Sequence, residues 1–541
     1  MRQKLKRIIV TIWVIAITIP AGVLGGFIFE HVKAWYDYQN TANTTYNQLT
    51  PASEFWPANF TFLSLKARGY DYRIHEYHTP DGMVLNARFT GTDVLTVAGG
   101  PTMDGYSAFG DSPHWTGHLL AAEGFRYAAS VADGDTEQAN AAVGNITRIL
   151  DAIDRITHVT GIPGQLVRYA WIDDPGGLNR SRGCPWNGTF NGTPYVYDAD
   201  TSRDQHSGVL LGLGVTAELV SPTQLTIAAT VKRIVEDMID FQLMTDWRYM
   251  EPDNRTIGTD FRPGWDVAST DGAWQLAFLQ IGRLVNPAKY GPLYLHLVND
   301  LNQIERIYNT QEVPSNLNLR TDYYGSCIMW AILYSSFRYE SDPATRVRLD
   351  QIMRETIWPQ FRHHRNAYFN MIYLGCRMET NESGAIEIFT PEEQYIINDT
   401  LDALMRIGSD PKCRDGLGRS CIKAYVPSGV YYVYPDNTTA TPGMYNGTTN
   451  QLLYRLDPLY YETQAAFQDI SGLVGGFFNI EPVSDHVTPA NLRPGEGYLW
   501  EGTPYRLYPY FGGDDLSYCY PGVDFWLPYW MGRYYNFWEA A

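Results

Sequence analysis

Three aspartates stand just before, or at the start of, segments that are apolar nearly all round: Asp111, Asp204 and Asp271. Hydrolysis of a glycosidic bond needs two carboxyl groups, one protonated as the general acid and one ionised as the base or nucleophile. The N–H groups and the dipole at a helix start favour the ionised form of a carboxyl group and so lower its pKa. These aspartates are therefore candidate catalytic residues, although each of them also suits a plain helix cap.

Asp204 is the first choice for the base, because polar residues crowd around it in the sequence. Asp111 is then the candidate general acid, which requires a buried or like-charged setting that raises its pKa. Glu123 lies in the helix that follows Asp111 and can replace it, but an ion pair with Arg126 explains Glu123 equally well. The residues predicted to bind the substrate are Arg203, Gln205, His206, Arg168, His118 and Trp115.

Two histidines, His114 and His118, are four residues apart and face the same side of one helix, as metal ligands can. The glutamate of a zinc-protease motif is missing between them. We therefore predict no metal and interpret them as polar residues lining an interior. Residues 198–204 resemble the start of a calcium loop, but Arg203 and Val209 replace the glycine and glutamate that an EF-hand requires. No cofactor is predicted, and a calcium site of another type stays an open alternative.

The segments that position these residues alternate between two kinds of predicted helix. One kind is apolar or small nearly all round, which is typical of a buried helix, and the other has charges on one face, which is typical of a helix covering a core. The apolar segments are 115–129, 208–219, 272–284 and 325–337. The striped segments are 142–158, 223–243, 292–308 and 344–357. A fifth pair is predicted at 367–374 and 391–406, and residues 451–470 are a candidate for a sixth.

This order predicts a mainly α fold, a double-layered ring in which inner helices are sheathed by outer ones. The inner helices of such a ring run in the same sense, so the three aspartates at their starts converge on one mouth. Capping residues followed by proline support the helix starts, because proline is tolerated where its missing N–H has no intrahelical partner. The capped pairs are Ser112-Pro113, Ser221-Pro222, Asp342-Pro343 and Thr390-Pro391.

The alternation resembles the (α/α)6 toroid of six-hairpin glycosidases and related polysaccharide-active enzymes. Three strings resemble a largely uncharacterised family related to that class: DSPHWTGH at 111–118, DTSRDQHSG at 200–208 and LPYWMGRY at 527–534. The similarity covers about residues 100–540. It implies the toroid more than any reaction, since fold alone does not fix function.

The amino terminus predicts a membrane anchor. Residues 1–7 are basic, and the uncharged run 8–29 is long enough to span a hydrocarbon core. We interpret 1–7 as a cytoplasmic tail and 8–29 as an uncleaved transmembrane signal-anchor, with cleavage at 21–26 as the alternative. Residues 30–98 then form a linker and a small mixed region, and residues 99–541 form the toroid domain with a loop-rich carboxy-terminal segment. The basic tail places the folded part outside the cytoplasm.

Glycosylation signals and cysteines agree with export. The predicted N-glycosylation sites are Asn43, Asn59, Asn145, Asn179, Asn187, Asn191, Asn254, Asn381, Asn398, Asn437 and Asn446. Of six cysteines, Cys413 and Cys421 flank a polar loop and are the candidate disulfide of an oxidising compartment. The other four are either paired or buried.

Charge and aromatic content limit the classes of function that the chain can have. The chain has 41 basic and 59 acidic residues, a net charge of −18, and lacks the basic footprint that nucleic-acid binding needs. Its 15 Trp, 39 Tyr and 22 Phe fit a large core, stacking platforms for sugars, or both.

The favoured function is an extracytoplasmic glycoside hydrolase, with carbohydrate as its partner. The first alternative is a lyase or epimerase on uronate polymers, with a tyrosine or histidine base and with Arg168, Arg203 or His206 neutralising the uronate. The second is a non-catalytic cell-surface glycoprotein whose toroid binds sugar or serves as a scaffold.

Overall fold

The computed structural model describes residues 50–89, 103–172, 185–262, 272–308, 323–377, 390–407, 410–414, 420–421, 487, 489–490, 493, 498–502, 504 and 518–539. This part of the chain is mainly helical, as predicted. The helices are α1 (Phe60–Tyr77), α2 (Ser112–Asp133), α3 (Thr136–His158), α4 (Arg203–Leu219), α5 (Leu225–Met244), α6 (Gly272–Val285), α7 (Pro287–Leu295), α8 (Gln303–Tyr308), α9 (Tyr323–Phe337), α10 (Pro343–Ile352), α11 (Ala367–Arg377), α12 (Pro391–Arg406) and α13 (Val523–Tyr534).

Each helix predicted between residues 115 and 406 has a counterpart in the structure, but the predicted segment 292–308 is divided. Pro292 lies inside α7, a π-helical turn follows at His296–Asp300, and Asn302 has a φ of 51° before α8 begins. Proline removes a helical hydrogen bond, and a positive φ interrupts helical geometry. The side-chain periodicity thus continues through 292–308, although the helical backbone is interrupted there.

The predicted helix start at Ser221 is wrong. The Ser221 hydroxyl donates to the Thr216 carbonyl and so closes the end of α4, and α5 begins later at Leu225. The predicted capping box at Thr390 is confirmed. The Thr390 N–H donates to Glu393 at 2.9 Å, and the Glu393 N–H donates to the Thr390 hydroxyl at 3.2 Å.

The apolar helices contact one another in a closed order. Helix α2 packs on α4, α4 on α6, α6 on α9, α9 on α11, α11 on α13, and α13 on α2, and α9 also packs on α4 across this order. Each striped helix contacts the apolar helix that precedes it: α3 on α2, α5 on α4, α7 on α6, α10 on α9, and α12 on α11. The buried core includes Trp330, Trp358, Trp500 and Trp526, so many of the aromatic residues serve packing.

Helices α2 and α4 approach each other most closely at two glycines. A Cβ atom at Gly117 would lie 1.9 Å from the Gly208 carbonyl oxygen, and one at Gly208 would lie 2.1 Å from the His114 carbonyl oxygen. Only glycine permits such backbone contact. The pair of glycines therefore sets the distance between the starts of α2 and α4, where Asp111 and Asp204 lie.

Helices α1 and α13 were not predicted. Helix α1 lies in the region interpreted as a linker with a mixed part, yet it buries Tyr70 and Ile74 in the common core and packs on α13. Buried Lys66 of α1 donates to the Leu404 carbonyl at 2.6 Å, at the end of α12. Helix α13 lies where we expected loops, because it contains Pro528 and many aromatic residues of modest helix propensity.

Short antiparallel strands connect the helices: β1 (Asn86–Phe89), β2 (Met103–Ser107), β3 (Tyr169–Trp171), β4 (Trp186–Phe190), β5 (Thr193–Asp198), β6 (Arg248–Met250), β7 (Ile257–Asp260), β8 (Asp410–Arg414), β9 (Ser420–Cys421) and β10 (Tyr518–Cys519). The sheets have the strand orders β10-β1-β2, β3-β5-β4, β6-β7 and β8-β9. Ala87 pairs with Cys519 on one side and Tyr106 on the other. Cys413 and Cys421 lie on the paired strands β8 and β9, and their disulfide stays a prediction.

The predicted membrane anchor at 8–29 lies outside the described residues and stays a prediction. In the described part, no helix is both long and apolar enough to cross a membrane. Five described sequon asparagines are exposed: Asn59, Asn187, Asn191, Asn254 and Asn398. Asn145 differs, because its Nδ2 donates to Glu123 at 3.3 Å and lies 2.9 Å from His75. A glycan attaches to that nitrogen, so Asn145 is a poor acceptor in the folded chain.

Candidate active site

Carboxyl groups converge where α2 and α4 begin. Asp111 is the residue before α2, and Asp204 is the second residue of α4. Burial, and then the neighbouring carboxyl groups of Asp204, Glu501 and Asp111, raise the pKa of Tyr324 well above its usual value. The carboxyl groups of Asp111, Asp204 and Glu501 thus all lie close enough to Tyr324 to act on its pKa, and of these only the two aspartates were named from the sequence.

Glu501 is in the setting that a general acid needs. Burial raises its pKa well above the usual value, the Asp111 and Asp204 carboxyl groups raise it further, and the Tyr498 N–H opposes this. Its Oε1 atom is buried and meets no hydrogen-bond partner in the described part of the chain. Two like charges nearby and little solvent favour the protonated acid. Glu501 therefore holds a proton at a pH where ordinary carboxyl groups have lost theirs.

The backbone around Asp524 holds Glu501 in position. The Asp524 carboxyl accepts from the Leu499 N–H at 3.3 Å, and its carbonyl accepts from the Trp500 indole at 2.7 Å. Burial raises the pKa of Asp524 to about 6, and the backbone N–H groups of Leu499 and Phe525 oppose the shift. The start of α13 therefore anchors the short 3-10 turn Leu499–Glu501.

Two buried histidines of α2 lie beside the carboxyl groups. His114 Nδ1 lies 2.9 Å from the Asp204 carbonyl oxygen. A carbonyl only accepts, so Nδ1 carries the proton and Nε2 keeps a lone pair. That Nε2 is buried and has no partner among the described residues. Burial lowers the pKa of His114 to about 4, so the ring is neutral at pH 7.

His118 is fixed in the same tautomer. Its Nδ1 lies 2.8 Å from the His114 carbonyl oxygen, and its Nε2 lies 2.9 Å from the Tyr368 hydroxyl. The carbonyl requires a donor, so Nδ1–H donates and Nε2 accepts from Tyr368. Burial, and after it His114, lower the pKa of His118 well below its usual value. Both imidazoles therefore present an unprotonated Nε2.

A thiol joins the two imidazoles. Cys327 of α9 is buried and carries a free thiol. One ligand atom from each of His114, His118 and Cys327 lies within 4.8 Å of the other two. Burial, and then the Glu501 carboxyl, raise the pKa of the Cys327 thiol.

Aromatic rings line this part of the structure. Trp115 and Tyr498 are 4.5 Å apart between ring centroids, and Tyr498 lies 5.5 Å from His118 and 5.9 Å from Tyr368. A small cavity, with room for about one water molecule, opens beside them and is lined by Asn86, Trp115, Tyr498, Pro521, Gly522, Val523 and Asp524. The predicted substrate-binding residues Trp115 and His118 therefore both pack against Tyr498, three residues before Glu501.

The candidate Glu123 lies elsewhere. It is nine residues beyond His114 on the same helix, about 14 Å along the axis. Burial alone would raise its pKa, but Arg126, His75 and the Trp526 indole lower the pKa of Glu123 to about 2. The Trp526 indole donates to it at 2.9 Å. Glu123 is thus an ionised residue of a buried ion-pair network, which does not suit a general acid.

The other predicted substrate-binding residues have structural contacts. Gln205 Nε2 donates to the Gly110 carbonyl at 2.9 Å and so joins the starts of α2 and α4. His206 Nδ1 lies 2.8 Å from the Ser202 carbonyl oxygen, and the His206 ring contacts the rings of Tyr249 and Phe261. Arg203 lies over the Trp274 ring at 5.9 Å, and Arg168 pairs with Asp200 at 3.7 Å. Asp271 lies outside the described residues.

Sequence reasoning missed Glu501, Tyr324, Cys327, Tyr368, Tyr498 and Asp524. Tyr324 and Cys327 stand at a predicted apolar helix, where the expected role was packing. Glu501 stands in a segment expected to be loops, and its one signal was an acidic residue directly after Leu499 and Trp500. No family model, curated protein or solved structure is significantly similar to the chain.

Proposed function

We propose that this chain is an extracytoplasmic glycoside hydrolase built on a six-hairpin (α/α)6 toroid. Its general acid is Glu501, and Asp204 is the carboxylate that acts as base or nucleophile. One observation carries the proposal: the carboxyl groups of Asp111, Asp204 and Glu501 converge on Tyr324 at the starts of two apolar helices.

The toroid is supported by the closed order of contacts among α2, α4, α6, α9, α11 and α13. In a toroid the inner helices run in the same sense, and their starts form one mouth. Asp111, Asp204 and Asp524 each stand within the first residues of an inner helix. This arrangement supplies acids at one end of the ring.

The two carboxyl roles require different environments, since the acid must hold a proton and the base must not. Asp204 is in the first turn of α4, at the positive end of the helix dipole. Glu501 is half-buried with its Oε1 atom enclosed, and this burial, followed by the like charges of Asp111 and Asp204, favours its protonated form. Asp111 is thereby reassigned from acid to the group that keeps Glu501 protonated.

Unsatisfied polar atoms support a ligand with many hydroxyl groups. In the described part, the buried Ser112 Oγ, His114 Nε2, Tyr498 hydroxyl and Glu501 Oε1 meet no hydrogen-bond partner. Buried polar atoms of a purely structural protein are nearly always paired. A sugar offers both donors and acceptors, and the buried, mutually packed rings of Trp115 and Tyr498 lie beside these atoms. Other buried polar atoms of the described part also lack a partner, so the support comes from four such atoms standing on α2 and on the segment 498–501.

The lyase alternative has weaker support. A tyrosine base must ionise, but burial, and then the carboxyl groups beside it, raise the pKa of Tyr324 well above the usual value. Arg168 and Arg203, the candidates for neutralising a uronate, contact Asp200 and Trp274. The location outside the cytoplasm is supported by the predicted anchor at 8–29 and by the exposed sequon asparagines.

The test uses the full chain in detergent with a panel of aryl glycosides and neutral polysaccharides. We expect hydrolysis of at least one substrate by the wild type, and a loss of about 10²–10⁴ in Glu501→Gln. Glu137→Gln, an exposed change in the first turn of α3, is the control and should retain full activity. Unchanged turnover in a folded Glu501→Gln protein, or no hydrolysis of any substrate by the wild type, overturns the proposal.

A further inference from the structure

We propose that His114, His118 and Cys327 bind a divalent zinc-type cation. This inference does not depend on the hydrolase assignment. It rests on the positions of three ligand atoms from two helices, α2 and α9, and on the hydrogen bonds that fix the two imidazole rings.

The ligand set has the chemistry that zinc prefers. Zinc takes nitrogen and sulfur ligands in tetrahedral sites, with Zn–N distances of about 2.0–2.1 Å and a Zn–S distance of about 2.3 Å. Such distances put the ligand atoms about 3.5 Å apart. The ligand atoms of His114, His118 and Cys327 already lie within 4.8 Å of one another. A small contraction of buried side chains completes the site.

The imidazole nitrogens are in the state that a metal requires, because a ligating histidine presents a lone pair and donates its other N–H to an acceptor. His114 Nδ1–H donates to the Asp204 carbonyl, and His118 Nδ1–H donates to the His114 carbonyl. The His114 Nε2 lone pair is buried without a partner in the described ranges. An unpartnered buried nitrogen costs free energy, and a metal bond removes that cost.

Binding of the cation changes the state of Cys327 and the hydrogen bond of Tyr368. The Cys327 thiol transfers its proton to solvent, since only the thiolate binds zinc. The Tyr368 hydroxyl now donates to His118 Nε2 at 2.9 Å and must release that lone pair. Three protein ligands leave a fourth position for water or a substrate oxygen, as in catalytic zinc sites.

The second cluster of candidate ligands, Asp71, His75 and Glu123, does not share these features. Arg126 pairs with Asp71 at 2.9 Å and with Glu123 at 3.2 Å. A guanidinium therefore already supplies the positive charge there. The cluster at His114 differs, because the carboxyl group of Asp111, three residues before His114, favours a cation.

The test measures metal binding by the full chain after chelator treatment, with Zn²⁺ or Co²⁺ alone as the probe. We expect one tightly held ion per chain, and a near-ultraviolet charge-transfer band in the Co²⁺ form that reports a thiolate ligand. Cys327→Ser should lose the band. Cys376→Ser, which changes the other described free thiol, should keep it.

Two further variants separate ligation from structural damage. His206 is also a buried histidine with an unpartnered Nε2 among the described residues, so His206→Ala is the control for His114→Ala. We expect only His114→Ala to lose the ion. Tyr368→Phe should bind Zn²⁺ about tenfold more tightly, because it frees the His118 lone pair.

A folded chain that takes up no Zn²⁺, or a Co²⁺ band that survives in Cys327→Ser, overturns the site. Its failure is distinguishable from failure of the hydrolase assignment, because metal content and the cobalt spectrum are read without any substrate.

Discussion

His114 Nδ1 donates to the backbone carbonyl of Asp204 at 2.9 Å, across 90 positions of sequence. This bond fixes the His114 tautomer and ties the second residue of α4 to the first turn of α2. Gln205 adds a second link, from its Nε2 to the Gly110 carbonyl. The relative position of Asp111 and Asp204 is therefore set by buried hydrogen bonds between two helix starts.

The contact of α2 with α4 predicts a steep cost for a methyl group at Gly208. A Cβ there would lie 2.1 Å from the His114 carbonyl oxygen, which is backbone and cannot swing away. We expect Gly208→Ala to lower the free energy of unfolding by about 3 kcal/mol and to reduce activity. Thermal unfolding followed by circular dichroism measures the change.

Gly144 of α3 is the matched control, because a Cβ there meets nothing within 4 Å. We expect Gly144→Ala to stabilise the chain by about 0.5–1 kcal/mol, since alanine is the better helix former. Equal stability of the two variants would show that α2 and α4 are not in backbone contact.

The environment of Glu501 predicts the pH dependence of the proposed hydrolysis. The general acid must be protonated, so activity falls as pH rises through the Glu501 pKa. After burial, the Asp111 carboxyl is the largest influence that raises this pKa. Asp111→Asn removes it, and we expect the alkaline limb of the pH–rate profile to move about one unit towards lower pH. The position of the limb, rather than the rate, is the readout.

Asp300→Asn changes an exposed aspartate that pairs with His296 and serves as the control. Its alkaline limb should coincide with that of the wild type. A limb that stays in place in Asp111→Asn would remove Asp111 from the set of groups that act on Glu501.

The buried network around Glu123 predicts acid sensitivity. The pKa of Glu123 is lowered to about 2 in the folded chain, from 4.5 as the ordinary value. Its contribution to stability is therefore present above pH 4.5 and is lost as pH falls towards 2. At pH 7 we expect Glu123→Gln to cost about 3 kcal/mol in denaturant unfolding.

The stability difference between wild type and Glu123→Gln should shrink as pH falls below 4.5. Glu137→Gln on the exposed surface of α3 should unfold with the wild type at every pH. A difference between wild type and Glu123→Gln that stays constant down to pH 3 would contradict the assigned ion pairs.

The sequon positions predict a pattern of glycan occupancy. Asn187 and Asn191 lie exposed on or beside the hairpin of β4 and β5, whereas the Nδ2 of Asn145 contacts Glu123 and His75. We expect glycopeptide mapping of the chain secreted from a eukaryotic host to find glycans at the first two and none at Asn145. Full occupancy of Asn145 would mean that the glycan is added before α1 packs on α3.

Side-chain periodicity was sufficient to predict most helices between residues 115 and 406. It works there because each helix has either an apolar surface all round or one charged face. It failed for α1, whose buried Lys66 and Arg73 interrupt any apolar stripe, and for α13, which contains Pro528. Local rules of helix capping explain Thr390 but not Ser221, whose hydroxyl serves the preceding helix.

Asp111 and Asp204 could be found from the sequence, because both stand at starts of apolar helices. Glu501 and Cys327 could not, because their roles depend on which distant segments lie beside them. The pKa of Glu501 is raised by burial and then by aspartates from other elements, and Cys327 meets His114 through the position of α9, which packs on α4. Contacts between segments that are far apart in the sequence produce no spacing pattern along the chain.

The strand order β10-β1-β2 and the packing of α13 on both α2 and α1 have a consequence for biosynthesis. The strand near residue 87 gains its second partner strand, and the helix near residue 70 gains its contact with α13, only after residues 518–534 have left the ribosome. Helix α1 therefore cannot complete its packing until α13 has been synthesised. Tyr70, which stacks on Phe525 in the folded chain, lacks that contact through most of translation. Contacts of such sequence separation form slowly, so holding chaperones are expected to determine the yield of this protein.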